Sequence, residues 1–132
     1  MSYEAKLTEL GYTIEPIELN AGKIMHAVRT GNLIYTSGQV SRWGDLEIKG
    51  KVGRDLSVKE GYKAAQICAL NCLRAVKAIT GSLDSITQIV KLLGMVMSRP
   101  ISTIPQALST AVAISSWQCS ARLGGTHVAR WG

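Results

Sequence analysis

Val28–Val40 reads VRTGNLIYTSGQV, and its mixture of turn and strand chemistry sets the reading of the rest of the chain. Arg29-Thr30-Gly31-Asn32 supplies a tight turn, because Gly and Asn tolerate positive φ. Leu33-Ile34-Tyr35-Thr36 is β-branched and aromatic and is short enough for a buried strand. Ser37-Gly38-Gln39 then sets a hydroxyl, a bare backbone and an amide where that strand ends. Glycine in such a place marks either the close approach of a ligand or a strand that simply leaves its sheet.

Upstream, Tyr3, Leu7 and Leu10 fall at helical spacing, and Gly11 is placed to end the helix. Tyr12–Ile17 alternates as a strand would, with Pro16 suggesting an edge. Downstream, Ser41–Asp45 reads as a turn, Leu46–Lys51 as a returning strand and Val52–Asp55 as a loop. Ser57-x-x-Glu60 is a capping box that opens a helix over Ser57–Thr80. Ala65, Cys68, Ala69, Cys72, Val76 and Ile79 form one apolar stripe on it, and Gly81 stops it. The small residues of the stripe predict close packing against a sheet. Ile86–Met97, ITQIVKLLGMVM, reads as a long strand, and its near-continuous apolar character predicts burial on both faces. Strands, one long helix and a further strand give an α+β fold with helices on one face of a sheet.

The chain has 132 residues, 46% hydrophobic and 18% charged, which predicts one globular domain. No apolar run is long enough to span a bilayer, and the first ten residues lack signal-peptide character, so a cytoplasmic location is the expectation. Cys68 and Cys72 stack on one helix face, and Cys119 stands alone. No His or second Cys pair completes a zinc pattern, so buried structural thiols, no metal and no cofactor are expected. A net charge of +6 permits attraction to nucleic acid. The only basic cluster, Lys49, Lys51 and Arg54, sits beside Glu47 and Asp55 and reads as a solvated loop.

From Pro100 the texture changes. All nine acidic residues and every lysine precede it, and beyond it only Arg122 and Arg130 are charged. Residues 1–99 therefore read as the domain core and 100–132 as a divergent tail, not a second domain. Gln106–Trp117 has only weak helical character, since β-branched and Ser/Thr residues disfavour it.

Three ordered stretches carry a resemblance: GNLIYTSGQV (Gly31–Val40), GKVGRDLSVKEGYKAAQICALNCLRAVKA (Gly50–Ala78) and IVKLLGMVMS (Ile89–Ser98). Together they resemble the YjgF/RidA family, also called reactive-intermediate deaminases or L-PSP-type endoribonucleases and translation inhibitors. The resemblance runs over about Tyr3–Ser98. It implies a chorismate-mutase-like α+β fold, a homotrimer, and hydrolysis of enamines and imines such as 2-aminoacrylate to a 2-oxo acid and ammonia. It also implies a site in the cleft between subunits, where an arginine of a late A-R-S strand clamps the substrate carboxylate. Water attacks the imine carbon, so positioning and electrostatics carry the chemistry.

Carried over by position, the resemblance assigns Ser37, Gly38 and Gln39 to substrate binding. The family's aromatic position falls by spacing on Ile24, a departure. The F-G-E helix end and the A-R-S strand have no counterpart. A shifted reading frame explains this loss. Read two nucleotides further on, Trp117–Gly132 can give A-V-F-G-E-A-G-R-N-A-R-S-T-L-G, and Ile101–Ile104 can give D-F-H-D. Both are what the family shows there, so the tail from about Pro100 reads as frameshifted. On this reading Ala121-Arg122 and Ala129-Arg130 match the family's Ala-Arg by coincidence and lie in no strand-like pattern. His26 and His127 are incidental. Loss of the last strands predicts an unpaired sheet edge and altered assembly. Four functions stay open: an impaired deaminase, a non-catalytic binder of small metabolites, an RNA-cleaving protein and a structural relic.

Overall fold

Ser2 begins the first element of the computed structural model by accepting, through its hydroxyl, the amide of Ala5 at 3.0 Å. This cap opens helix α1, Tyr3–Glu9, and Gly11 at φ +88° follows it. The structure describes residues 2–20, 22–97 and 114–123. Of the weakly helical segment Gln106–Trp117, residues 106–113 lie outside them, as do Arg130 and His127, while residues 114–117 belong to a strand and not a helix.

Strands β1, Ala27–Thr30, and β2, Leu33–Thr36, form the expected hairpin, with Ala27 opposite Thr36 and Thr30 opposite Leu33. Gly31 alone takes the positive φ, at +55°. Asn32 does not, and the Arg29 side chain donates from Nε to the Gly31 carbonyl at 2.9 Å. A short hairpin follows, β3 at Arg42–Trp43 and β4 at Leu46–Glu47, turning at Gly44 with φ +59°. Ser41–Asp45 is therefore partly strand. The returning strand stops at Glu47, beyond which the Ile48 amide still donates to the Ser41 carbonyl at 3.0 Å and Ser41 Oγ donates to the Ile48 carbonyl at 2.6 Å.

Helix α2, Val58–Thr80, starts as its sequence dictates. The Glu60 amide donates to Ser57 Oγ at 3.2 Å and the Ser57 amide to Glu60 Oε2 at 2.7 Å. Its far end closes at Gly81, φ +76°. Ala65, Cys68, Cys72 and Val76 are buried, as are Ala64, Ile67, Leu70 and Ala75. A 3-10 turn at Leu83–Ser85 leads into β5, Ile86–Val96, and β6 runs over Ile114–Leu123.

The four longer strands form one sheet in the order β1-β2-β6-β5. β6 pairs antiparallel with β2, Leu33 opposite Arg122, Ile34 opposite Ala121 and Tyr35 opposite Ser120. Helix and sheet meet in a core of Ala27, Ile34, Ala75, Val76 and Leu123, with Ile17, Leu19, Ile79 and Ile86 packed on it. The architecture is α+β. Ile34 is wholly buried, so its truncation to alanine costs about 3 kcal/mol.

Two compact units make up the chain. One gathers the described residues of Met1–Ser37, Cys72–Leu92 and Gln118–Gly132, the other those of Gly38–Asn71 and Leu93–Trp117.

Three local expectations are corrected. Tyr12–Ile17 forms no strand, because its carbonyls are taken by helix side chains: Lys77 Nζ donates to the Ile14 carbonyl and Arg74 Nε to that of Glu15. β5 is not buried on both faces. It is last in the order of described strands, and Ile89, Val90, Leu92, Leu93 and Met95 are 39–47% exposed. Arg122 does lie in a strand. β6 occupies an interior place in the sheet, where Ala121 and Leu123 are buried and the Leu123 amide donates to the Asn32 carbonyl at 2.7 Å.

Candidate functional site

Ser37 ends β2 in the first unit. Its amide and its hydroxyl both donate to the His26 carbonyl, at 2.9 and 3.3 Å. The His26 amide in turn donates to the carbonyl of Leu19. The extended stretch before β1 is thus stitched to the end of β2, and Ile24, 59% exposed, lies on that stretch two residues before His26. Exposure of an isoleucine there leaves an apolar surface where the resemblance implies an aromatic.

Register decides where an arginine stands. Pairing of Leu33 with Arg122 and Tyr35 with Ser120 extrapolates to Gln118 opposite Ser37. Arg122 is therefore four ladder steps from Ser37, about 13 Å along the strand at ~3.3 Å per residue. An arginine side chain spans roughly half of that. Of the other described arginines in this unit, Arg29 is held by the Gly31 carbonyl and Arg74 by that of Glu15.

In the second unit Gly38 is exposed and Gln39 is buried. Asn71 fixes the stretch that follows, donating from Nδ2 to the Val40 and Arg42 carbonyls at 3.0 and 2.7 Å. The same unit holds a cavity of about 430 Å³ lined by Val40, Ile48, Leu56, Ala64 and Met97 and by the charged side chains of Glu47, Lys49, Lys51, Arg54 and Asp55. The basic cluster is the solvated loop its sequence reads as, with the Lys49 and Arg54 side chains 74% and 59% exposed, and it also lines this cavity. Gly50, at φ +140°, was the available signal: a Cβ there would lie 2.7 Å from the Cβ of Asp55, so the backbone must be bare for the loop to close.

The carboxylates of this wall are committed. Glu47 accepts from Arg42 and Lys49 at 3.0 and 2.9 Å, and the Lys49 bond, then that of Arg42, holds its pKa below the usual range. Arg54 grips Asp55 through Nε and Nη2 at 3.0 and 2.8 Å, and the Lys51 amide donates at 2.9 Å. Led by Arg54, these bonds lower the Asp55 pKa to about 2. Both groups are anionic at neutral pH.

Cys68 and Cys72 are buried thiols that form no disulfide among the described residues. Burial raises the Cys68 thiol to about 11, which leaves it protonated and unreactive. Thr36 Oγ1 donates to Cys72 Sγ at 3.7 Å. Among the described residues no cluster of three or more His, Cys, Asp or Glu could hold a metal. None of their helices is long and apolar enough to cross a membrane.

The α+β architecture, with its long helix packed on the sheet, defines the chain as a protein of the YjgF-like fold. Comparison with known proteins adds three relatives. The Agrobacterium tumefaciens protein Atu1372, of unknown function, superposes with a TM-score of 0.75 at 28% identity, covering 92% of this chain and 93% of its own. A Shewanella oneidensis protein described as a proposed endoribonuclease superposes with a TM-score of 0.72 at 20% identity, covering 93% and 100%. Protein TCP17 of Trypanosoma cruzi is 33% identical over 101 residues, 75% of this chain and 62% of that protein's length. No family model matches.

Proposed function

We propose that the chain is a RidA-like member of the YjgF/RidA family, an enamine and imine deaminase by descent whose activity is impaired. The observation that carries this reading is the register of β6, which puts Arg122 about 13 Å from Ser37. The hairpin ending in Ser37-Gly38-Gln39 keeps one wall of the family's cleft, while the carboxylate clamp has no counterpart and Arg122 stands too far along the strand to replace it within the chain. The substrate on this reading is a small 2-imino acid, the product a 2-oxo acid, and the cleft lies between subunits of a homotrimer. The divergence of residues 100–132 is a frameshift, which sequencing of the encoding gene checks.

The test is a coupled assay in which threonine dehydratase supplies 2-aminoacrylate and release of the 2-oxo acid is followed. The expected result is a rate at least 100-fold below that of an intact family member, on the order of the 2–5 kcal/mol lost with one partner of a charged pair. Gln118→Arg, which adds a guanidinium at the backbone position that the extrapolated register sets opposite Ser37, is expected to raise the rate. Full activity in the unaltered chain, unchanged by Ser37→Ala, sinks the proposal.

The Shewanella relative's description favours a second reading, RNA cleavage. Arg42, Lys49, Lys51 and Arg54 beside Trp43 would supply the charge. RNA binding that weakens steeply with salt supports this reading, and no binding at low salt removes it.

A further inference from the structure

We propose that the cavity of the second unit is a binding site for a small organic carboxylate with an apolar body, with Lys51 as its counter-charge. The site is separate in sequence and chemistry from the Ser37 end of β2 and does not depend on the deaminase reading.

The argument is one of charge accounting. Three cations, Lys49, Lys51 and Arg54, face two carboxylates, Glu47 and Asp55, on the cavity wall. Glu47 is bound by Arg42 and Lys49, and Asp55 by both nitrogens of the Arg54 fork. Lys51 contributes its backbone amide to Asp55 and its charge adds a minor part of the lowering of the Asp55 pKa, yet its ammonium forms no salt bridge among the described residues, which include every side-chain carboxylate of the chain. Lys51 is nevertheless half-buried. A lysine of the cavity wall whose ammonium forms no salt bridge there, beside carboxylates already bonded to other cations, favours an incoming anion.

The rest of the lining specifies what that anion carries. Val40, Ile48, Leu56, Ala64 and Met97 give an apolar floor, and about 430 Å³ suits a ligand of one ring or a short branched chain. The walls are preformed. The amides of Arg54, Asp55 and Leu56 all donate to the Lys51 carbonyl, the Val52 amide donates to that of Met97, and Ser41 and Asn71 pin the opposite strand. A rigid cavity loses little entropy on binding. One point charge outside any salt bridge matches a monocarboxylate better than a dianion, and the apolar floor excludes a bare one.

Sodium benzoate, benzamide and inorganic phosphate titrated into the full chain, followed by two-dimensional amide NMR, test this. The expected result is saturable shifts for benzoate at Gly50–Leu56 and Val40–Ser41, with at least tenfold weaker effects of benzamide and phosphate. Lys51→Met is expected to abolish the benzoate shifts while keeping a folded spectrum, Lys51→Arg to retain them, and Ser37→Ala to leave them unchanged. Absence of saturable shifts, equal response to benzamide or phosphate, persistence in a folded Lys51→Met protein, or loss in Ser37→Ala overturns the proposal.

Discussion

Gly50 shows how one residue can set a loop. Its φ of +140° and the 2.7 Å from an added Cβ to the Asp55 Cβ leave no room for any other side chain. Gly50→Ala is expected to destabilise the protein by about 1–3 kcal/mol through backbone strain and displacement of Asp55. Chemical denaturation measures the cost, and carboxylate NMR should show Asp55 titrating well above its value of about 2. An unchanged Asp55 titration with unchanged stability would refute the packing account. Ser37 makes the opposite point. Its identity was legible at once, but its use was not, because both its donors turn to the His26 carbonyl, a partner eleven residues away that no local pattern names.

Among elements, α1 and α2 were the most legible, and the contacts that join α1 to the rest were the least. The caps of both helices are local chemistry, Ser2 for α1 and the Ser57–Glu60 box for α2. The docking of α1 is not. Glu4 accepts from Lys77 Nζ at 2.9 Å and from the Leu83 amide at 2.8 Å, while Asp84 accepts from the Tyr3 amide. Lys77 first, then the Leu83 amide, lowers the Glu4 pKa below its ordinary 4.5. A carboxylate depressed in the folded state contributes stability that is complete above its unfolded pKa and is lost as pH falls through the folded value. Glu4→Gln is therefore expected to lower Tm by about 3 °C at pH 7. The difference should vanish well below pH 4.5. Thermal melts of both proteins across that range check it, and a gap independent of pH would exclude the ionic account.

At the scale of the molecule, the exposed apolar run of β5 is the feature with the largest consequence. Ile89, Val90, Leu92, Leu93 and Met95 are 39–47% exposed on the two faces of β5, and exposed apolar surface of this kind marks interaction sites. The proposed homotrimer would cover it. Light scattering coupled to size exclusion is expected to give a mass three times 14.2 kDa, and Leu92→Asp to shift it to one. A monomer in the unaltered protein would leave the β5 surface without its proposed cover. Among the described strands the order ends at β5, while β6 pairs with β2 in the sheet interior.

Local chemistry determined the hairpin at Gly31, the capped helix from Ser57 to Gly81, the long apolar strand and with them the α+β class, since each is written in neighbours three or four residues apart. Tertiary structure alone decided three other things. It made Tyr12–Ile17 a loop, by giving its carbonyls to Lys77 and Arg74. It put Arg122 in a strand yet four ladder steps from Ser37, and it closed the Lys49–Asp55 loop around a cavity. Register and side-chain-to-backbone bonds over long separations carry no signature in a short window, because the partner that completes each lies tens of residues away.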